Sequence, residues 1–211
     1  MIGFKEFISE SQDSAGLTIW DIDETLFRTK ARVHIVKDGK IIKTLGNKQY
    51  NTYKLQPGES FDFSEFRDAR HFRDTSEPIA KAIRKLIAMH KNIKARGSKM
   101  IVITARSDFD DRDIFLDTFR QQGIDIDDIH VHRAGNLGAM PSAPAKKIFI
   151  KQYLDTGKFT RARLFDDAVS NLQMFKDLAD EYPNIKFEPF WLMQMGQWLV
   201  FNLTLPSIRV Y

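Results

Sequence analysis

Residues 17–25, with the sequence LTIWDIDET, decide how the rest of the chain is interpreted. The first four residues are apolar or small, which is typical of a buried strand. The run then meets the carboxylates Asp21 and Asp23 and ends in Thr25. Open α/β sheets place their sites at the carboxyl ends of strands, so these polar residues are the first candidates for function.

Further apolar runs follow downstream, and they predict strands at residues 100–104, 129–132, 162–165 and 185–190. Helical patterns lie between them at residues 110–122, 145–154 and 168–182. Another helix is predicted to open at Ser76 and Pro78 and to end near Gly97. Strands that alternate with helices predict an α/β fold, a Rossmann-like parallel sheet flanked by helices on both faces.

One segment, residues 28–75, interrupts this alternation. Two short apolar runs flank Asp38 and Gly39, and such a pair predicts a β-hairpin. Residues 28–54 carry eight basic residues against one acid, within a chain of net charge +4. We therefore expect a polar lead-in at 1–14, a catalytic core at 15–27 and 76–195, a small basic insertion at 28–75, and a C-terminal extension at 196–211.

The composition sets limits on the class of protein. A length of 211 residues suits one globular domain, and the absence of cysteine excludes disulfides, thiolate catalysis and cysteine-ligated zinc. We expect no membrane span, no secretory signal and a cytoplasmic setting. The opening FKEFISES is similar to starts of tailed-bacteriophage proteins, which would place the chain in a host cytoplasm.

Other strand ends also carry polar residues. The run at 100–104 ends in Thr104, Ala105 and Arg106, and the run at 129–132 is followed by Arg133. The run at 162–165 is followed by two acids, Asp166 and Asp167, and the helix before it carries two lysines, Lys146 and Lys147. Each could be a helix cap or a solvated residue on its own, but their joint occurrence at strand ends favours a site. A calcium-binding EF-hand is excluded, because its sixth position would be Leu26 instead of glycine.

These segments resemble the haloacid dehalogenase superfamily. DIDET matches its first motif, VITAR its second, Lys146 or Lys147 its third, and FDDAVSN its fourth. The resemblance covers residues 17 to about 190 without the basic insertion, and the insertion stands where this superfamily places its cap or flap. It implies an α/β core with a small β-rich cap and a phosphatase that uses Mg²⁺.

The resemblance also implies roles for single residues. Asp21 would attack phosphorus, and Mg²⁺ would bind Asp21, the Asp23 carbonyl, Asp167 and, through water, Asp166. Asp23 would act as general acid and then base, for which we expect a raised pKa. Thr104 and a lysine would hold the phosphoryl oxygens. We favour Lys146, because apolar residues follow it at the spacing of one helix face. Contacts to substrate are expected from Thr25, Ala105, Arg106, Arg133 and Lys147.

The expected function is therefore hydrolysis of a phosphomonoester through an aspartyl-phosphate. Glu24, where many members of the superfamily have glycine, leaves the subfamily open. The partner would be a phosphorylated small molecule, a nucleotide or a nucleic-acid end, with no membrane and no obligate protein partner. A phosphotransferase with the same site, or a binding protein without turnover, are the alternatives. The insertion's aromatic residues would either stack on bases or form its own small core.

Overall fold

The computed structural model describes residues 15–192 apart from 51, 94–96 and 139, and also residues 198–200. The strands in this part of the chain are β1 (Gly16–Trp20), β2 (Phe27–Arg28), β3 (Val33–Lys37), β4 (Lys40–Leu45), β5 (Glu59–Asp62), β6 (Glu77–Pro78), β7 (Lys99–Thr104), β8 (His130–Arg133), β9 (Arg161–Asp166), β10 (Lys186–Leu192) and β11 (Trp198–Val200). The α-helices are α1 (Asn47–Tyr50), α2 (Ala69–Thr75), α3 (Ala80–Ile93), α4 (Arg112–Arg120), α5 (Ser142–Leu154) and α6 (Val169–Glu181).

The largest sheet has the strand order β11-β10-β9-β1-β7-β8. Its strands β10, β9, β1, β7 and β8 pair in parallel, and β11 is antiparallel to β10. This is an α/β arrangement with five parallel strands, consistent with a Rossmann-like fold, and it confirms that part of the prediction. All five parallel strands end at the same edge of the sheet.

Apolar clusters cover both faces of this sheet. Leu17 and Ile19 of β1 pack in one cluster with α5 and α6, whereas Trp20 belongs to the other with α2, α3 and α4. The side chains of a strand alternate between faces, so β1 contributes to both clusters. The Trp20 ring stacks on Phe165 of β9, with 4.0 Å between the ring centroids. The predicted helices on both faces are confirmed.

The segment between β2 and α2 folds into a second, three-stranded sheet in the order β4-β3-β5. Asp38 and Gly39 both have positive φ angles, 50° and 72°, as a tight hairpin turn requires. The predicted hairpin is confirmed. Behind the sheet, a small apolar cluster joins aliphatic and aromatic side chains, namely Val33, Ile35, Leu45, Tyr50, Tyr53, Phe61 and Phe66. These aromatic residues therefore form the core of the insertion.

One local prediction was wrong, and one short helix was not predicted. The helix expected from Ser76 begins at Ala80, because Glu77–Pro78 pairs instead with Phe27–Arg28, where the insertion leaves and rejoins the core. The short helix α2 was not predicted at all. The Asp68 carboxylate caps it by accepting a hydrogen bond from the His71 amide at 2.7 Å. Its residues Ala69 and Phe72 pack in the Trp20 cluster of the core.

The two ends of the chain are covered only in part. The predicted lead-in at 1–14 and most of the C-terminal extension lie outside the described residues. The three described residues of β11 extend the large sheet beside β10. Within the described ranges, no helix combines the length and the apolar character that crossing a membrane demands.

Candidate active site

Three neighbouring strands bring the predicted site residues to one edge of the sheet. β1 lies between β7 and β9, so Asp21, Thr104 and Asp166 sit at adjacent strand ends. The Asp21 amide donates a hydrogen bond of 3.0 Å to the Phe165 carbonyl, which continues the β1–β9 pairing to Asp21. Residues far apart in the sequence therefore meet because their strands are parallel neighbours.

Lys146 of α5 reaches this edge from the helix layer. Its Nζ donates to Asp21 Oδ1 at 2.6 Å and to Asp166 Oδ2 at 2.8 Å, and only 1% of the residue is exposed. Burial opposes the charge, but Asp166 and Asp21 raise the pKa of Lys146 above its ordinary value. The lysine is thus a fixed positive charge, and the prediction that it faces inward is confirmed.

Lys147 lies on a different face of the same helix. Its ammonium pairs with Glu181 of α6 at the surface. The Lys147 side chain thus takes part in an exposed ion pair between two helices, and its contact with substrate stays a prediction.

Asp166 and Asp167 are held from several sides. Asp166 is fully buried, and it accepts hydrogen bonds from the Ala168 amide at 2.9 Å and from the Asn171 side chain at 3.0 Å. The Trp191 indole of β10 donates to the Asp167 carbonyl at 3.0 Å. Trp191 was not singled out in the sequence, because nothing in a single sequence shows which strand lies beside β9.

Three carboxylates face one another at this point. Oxygens of Asp21, Asp166 and Asp167 lie within 4.8 Å of one another. Burial, followed by repulsion from Asp166, raises the pKa of Asp167 to about 7. Burial likewise raises the pKa of Asp21 well above its usual range, although Lys146 opposes the shift. These carboxylates could hold a hard divalent cation such as Mg²⁺, which prefers oxygen ligands. Ligation by the Asp23 carbonyl stays a prediction.

Asp23 carries an ion pair that the sequence did not reveal. The Arg106 guanidinium donates from Nε and Nη2 to the Asp23 carboxylate, with contacts of 2.7–3.1 Å. Its Nη1 donates to the Phe66 carbonyl at 3.0 Å, and its side chain is 1% exposed. The guanidinium is thus buried and bound to Asp23, and the contact of Arg106 with substrate stays a prediction.

The pKa expected for Asp23 is also corrected. Burial alone would raise that pKa, but the charge and hydrogen bonds of Arg106 and the Thr29 hydroxyl lower it below its ordinary value. Thr29 Oγ1 donates to Asp23 Oδ1 at 2.9 Å, and the Thr29 amide donates to Glu24 at 3.1 Å. Glu24 itself has a φ of 58°, which is unusual for a residue with a side chain. Thr29 thus stabilises the turn that carries Asp23 and Glu24.

The remaining predicted residues lie at or near the same edge. Thr104 is fully buried and its hydroxyl accepts the Arg106 amide at 3.1 Å, and Ala105 is exposed beside it. Thr25 is fully buried, and its hydroxyl has no hydrogen-bond partner among the described residues, so its contact with substrate finds no support. The Arg133 guanidinium packs over Phe115 and pairs with Asp108 at 3.3 Å. The role of Arg133 in binding phosphate stays a prediction.

A second group of possible ligands was not predicted. It contains His90 with Asp125 and Asp128, and the His90 ring lies 3.1 Å from the Asp128 carboxylate. These acids precede β8, so they lie at the opposite edge of the sheet from Asp21. They take no part in the candidate active site.

Comparison with known proteins leaves the family open. No protein-family model matches this chain, and no curated protein is significantly similar to it. The resemblance to the haloacid dehalogenase superfamily therefore rests on the sequence motifs alone. Independent of any family, the fold places a buried lysine and three carboxylates around one strand end. The ion pair of Asp23 and Arg106 lies beside them.

Proposed function

We propose that the protein is a Mg²⁺-dependent phosphomonoester hydrolase of the haloacid dehalogenase type. Asp21 is its nucleophile and carries the phosphoryl group as an aspartyl-phosphate. The observation behind this proposal is the buried cluster in which Lys146 bridges Asp21 and Asp166, with Asp167 beside them. A protein with only a binding role has no evident need for two buried carboxylates and a third, partly buried one that repel one another.

The electrostatics of the cluster suit an anionic substrate only when positive charge is added. A phosphate monoester repels an attacking carboxylate, so its catalyst must neutralise charge and align the nucleophile. Lys146 supplies one positive charge on the side of α5. Bound at Asp21, Asp166 and Asp167, Mg²⁺ would offset the remaining negative charge and polarise the phosphoryl oxygens.

In the first step, a carboxylate oxygen of Asp21 attacks phosphorus, and the bond from phosphorus to the leaving oxygen breaks. The leaving oxygen needs a proton, and Asp23 is the acid that relays it. Because Arg106 keeps Asp23 ionised, the proton arrives with the substrate as the monoanionic ester. Asp23 passes this proton from the phosphoryl group to the leaving oxygen. The products are a free alcohol and phosphorylated Asp21.

In the second step, water attacks the phosphorus of the aspartyl-phosphate. Asp23 accepts the proton of that water, a task for which its lowered pKa leaves it already ionised. The bond between phosphorus and Asp21 breaks and Asp23 passes its proton to the departing phosphate, which restores the carboxylates of both Asp21 and Asp23. Asp23 thus moves a proton in each step, and Arg106 holds it in place for both.

The three-stranded sheet of the insertion is, in this proposal, a small cap beside the site. Its connection is short, because β2 and β6 pair where the insertion leaves and rejoins the core. The hydrogen bond from Arg106 to the Phe66 carbonyl links the cap to the pair that holds Asp23. Substrates consistent with such a site are phosphorylated small molecules, nucleotides and phosphorylated nucleic-acid ends.

The test is hydrolysis of p-nitrophenyl phosphate with Mg²⁺ and with a chelator. We expect turnover that needs Mg²⁺, that is lost in Asp21→Asn, and that is kept in the control Asp180→Asn, an exposed aspartate of α6. The value of kcat/KM should fall above pH of about 6, where phosphate monoesters lose their second proton. Unchanged activity in Asp21→Asn would overturn the assignment of Asp21 as the nucleophile. Transfer of phosphate to added alcohols would identify a phosphotransferase.

A further inference from the structure

The loop that follows β8 lies directly against the loop that follows β7. Gly135 is the point of contact, and its amide donates a hydrogen bond of 3.2 Å to the Arg106 carbonyl. A Cβ atom on Gly135 would lie 2.6 Å from the Arg106 carbonyl carbon and 2.6 Å from the Ser107 amide nitrogen. It would lie closer still to the Ala105 carbonyl oxygen. Backbone therefore meets backbone here, and no space is left for a side chain.

The close approach, and not the backbone conformation, requires glycine at position 135. The φ angle of Gly135 lies outside the left-handed region, so a residue with a side chain could adopt it. Other glycines have more room. An added Cβ atom at Gly16 of β1 would meet its nearest neighbours at 3.6–3.7 Å, and at Gly46 it would meet the flexible end of the Arg32 side chain. Among the described glycines, Gly135 is thus the one that a methyl group would drive into the backbone of another segment.

Two side chains strengthen the same contact. The Asn136 Oδ1 atom accepts a hydrogen bond of 2.9 Å from the Asp108 amide. The Asp108 carboxylate pairs in turn with Arg133 at the end of β8, at 3.3 Å. Residues 105–108 are therefore held along their backbone by one neighbouring segment of the chain.

The backbone position of Arg106 decides where its guanidinium lies. The rings of Phe66, Phe72 and Phe109 surround this group, with 4.8–5.5 Å between its Cζ atom and their centroids. In a close-packed surrounding, a side chain cannot change its conformation to offset a shift of its own backbone. Such a shift would lengthen or tilt the contacts of the guanidinium with Asp23, and hydrogen bonds weaken steeply when they are misaligned.

The size of the shift follows from the distances at Gly135. Contacts of a Cβ atom become ordinary from 3.4 Å, so a contact of 2.6 Å would require the two loops to separate by about 0.8 Å. A displacement of about 1 Å at a positioned group can reduce a rate by roughly 100-fold. The phosphate contacts of the proposed function, at Asp21 and Lys146, lie on other elements. The binding of substrate should therefore change less than the rate.

We propose that Gly135 is a positioning residue of the hydrolase: its backbone contact holds Arg106 in place, and Arg106 in turn holds Asp23. Asn136 supports the same contact through the Asp108 amide. The inference rests on the proposed function, in which Asp23 moves a proton in each step. It gives the loop after β8 a part in this proton transfer that does not depend on contact with the substrate.

A double-mutant cycle tests whether Gly135 acts through Arg106. Hydrolysis of p-nitrophenyl phosphate with saturating Mg²⁺ is measured for the wild type, Gly135→Ala, Arg106→Lys and the double variant. We expect kcat to fall ~10–100-fold in Gly135→Ala, with KM within ~2-fold of the wild type. The double variant should lie no more than ~3-fold below Arg106→Lys alone, because residues that act as one unit have non-additive effects. Losses that multiply in the double variant would overturn the proposal.

Two further variants separate this contact from a general loss of stability. Gly16→Ala adds a methyl group in the same sheet at ordinary distances, so kcat should stay within ~2-fold of the wild type. Asn136→Ala removes the hydrogen bond to the Asp108 amide at an exposed position, and kcat should fall ~3-fold. If Gly135→Ala does not fold, Asn136→Ala takes its place in the cycle. An equal loss from Asn136→Ala with and without Arg106→Lys would then overturn the proposal.

Nitrogen-15 spectra of the arginine side chains report on the contact without turnover. The Arg106 Nε–H donates to Asp23 and its side chain is 1% exposed, so this hydrogen should exchange slowly with solvent. We expect exchange at least ~10-fold faster in Gly135→Ala and unchanged exchange in Gly16→Ala. Unchanged exchange in Gly135→Ala would refute the inference. Absence of hydrolysis in the wild type would instead refute the proposed function, so the two failures are distinguishable.

Discussion

Replacement of Lys146 by methionine tests the electrostatics of the cluster most sharply. The ammonium lies 2.6 Å from Asp21 and 2.8 Å from Asp166, and all three side chains are at most 7% exposed. Methionine keeps much of the length of lysine and removes its charge. Removal of one partner from a buried ion pair typically costs about 3–5 kcal/mol, because the other charge is left uncompensated. We expect a loss of this size in the free energy of unfolding without metal at pH 8.

The assay is urea unfolding followed by tryptophan fluorescence, with a chelator present. Lys147→Met is the matched control, because the neighbouring lysine makes an exposed pair with Glu181, and exposed pairs contribute little. Two conditions should reduce the loss of unfolding free energy in Lys146→Met. Saturating Mg²⁺ would supply positive charge beside Asp21, and a pH near 5 would let the carboxylates take up protons. Equal effects of the two substitutions without metal would refute the reasoning.

Three further outcomes are expected. Arg106→Lys cannot reproduce the two-nitrogen contact with Asp23, so kcat for p-nitrophenyl phosphate should fall roughly 10–100-fold with little change in KM; an unchanged kcat in steady-state kinetics would contradict this. The raised pKa of Asp167, about 7 against 3.8 in the unfolded chain, means that the folded state binds more protons between these values. The free energy of unfolding of metal-free protein should therefore decrease as pH rises from about 4 to about 7, and Mg²⁺ should reverse the decrease; a rise with pH over this window, measured by urea titration, would count against it. Glu24→Gly should relieve the strain of a left-handed backbone, about 1 kcal/mol, and should lose the hydrogen bond from Thr29, which contributes about as much. The free energy of unfolding should therefore change little. A destabilisation above about 3 kcal/mol in the same titration would contradict this and would mean that Glu24 has a further role besides the turn.

The features that the sequence predicted well depend on local patterns. β7 and β9 carry apolar runs because interior parallel strands are covered on both faces, and such runs are visible without any knowledge of the partners. The hairpin at Asp38 was predictable because only a few residue pairs suit its turn. The inward direction of Lys146 followed from the apolar residues spaced along one face of its helix.

The features that were missed depend on contacts between distant residues. Arg106 and Asp23 are 83 positions apart, and Arg106 reaches Phe66 across 40 positions. A single sequence cannot show that this arginine turns toward a carboxylate instead of a substrate, so the pKa of Asp23 was expected to shift in the wrong direction. The predicted start of α3 was wrong for a similar reason, because Glu77–Pro78 pairs with a strand about 50 residues earlier.

The net charge of the insertion does not show where its charged and aromatic side chains lie. Its lysines suggested a polyanionic partner, but Lys37 and Lys40 lie at the hairpin turn and Lys30 pairs with Glu77 at the base of the insertion. The aromatic residues that could have stacked on bases pack mainly behind the small sheet, with Phe63 exposed. The fold, which a single sequence does not give, decides which of these side chains are exposed.

The most direct test of the central claim is chemical trapping of the phosphorylated nucleophile. The protein is mixed with p-nitrophenyl phosphate and Mg²⁺, quenched during turnover and treated with borohydride, which reduces an aspartyl-phosphate to homoserine. Peptide mass spectrometry then locates the modified residue. We predict homoserine at position 21, only when substrate and Mg²⁺ are both present, and none in Asp21→Asn. Homoserine at another position, or steady turnover with no modification of Asp21, would contradict the assignment.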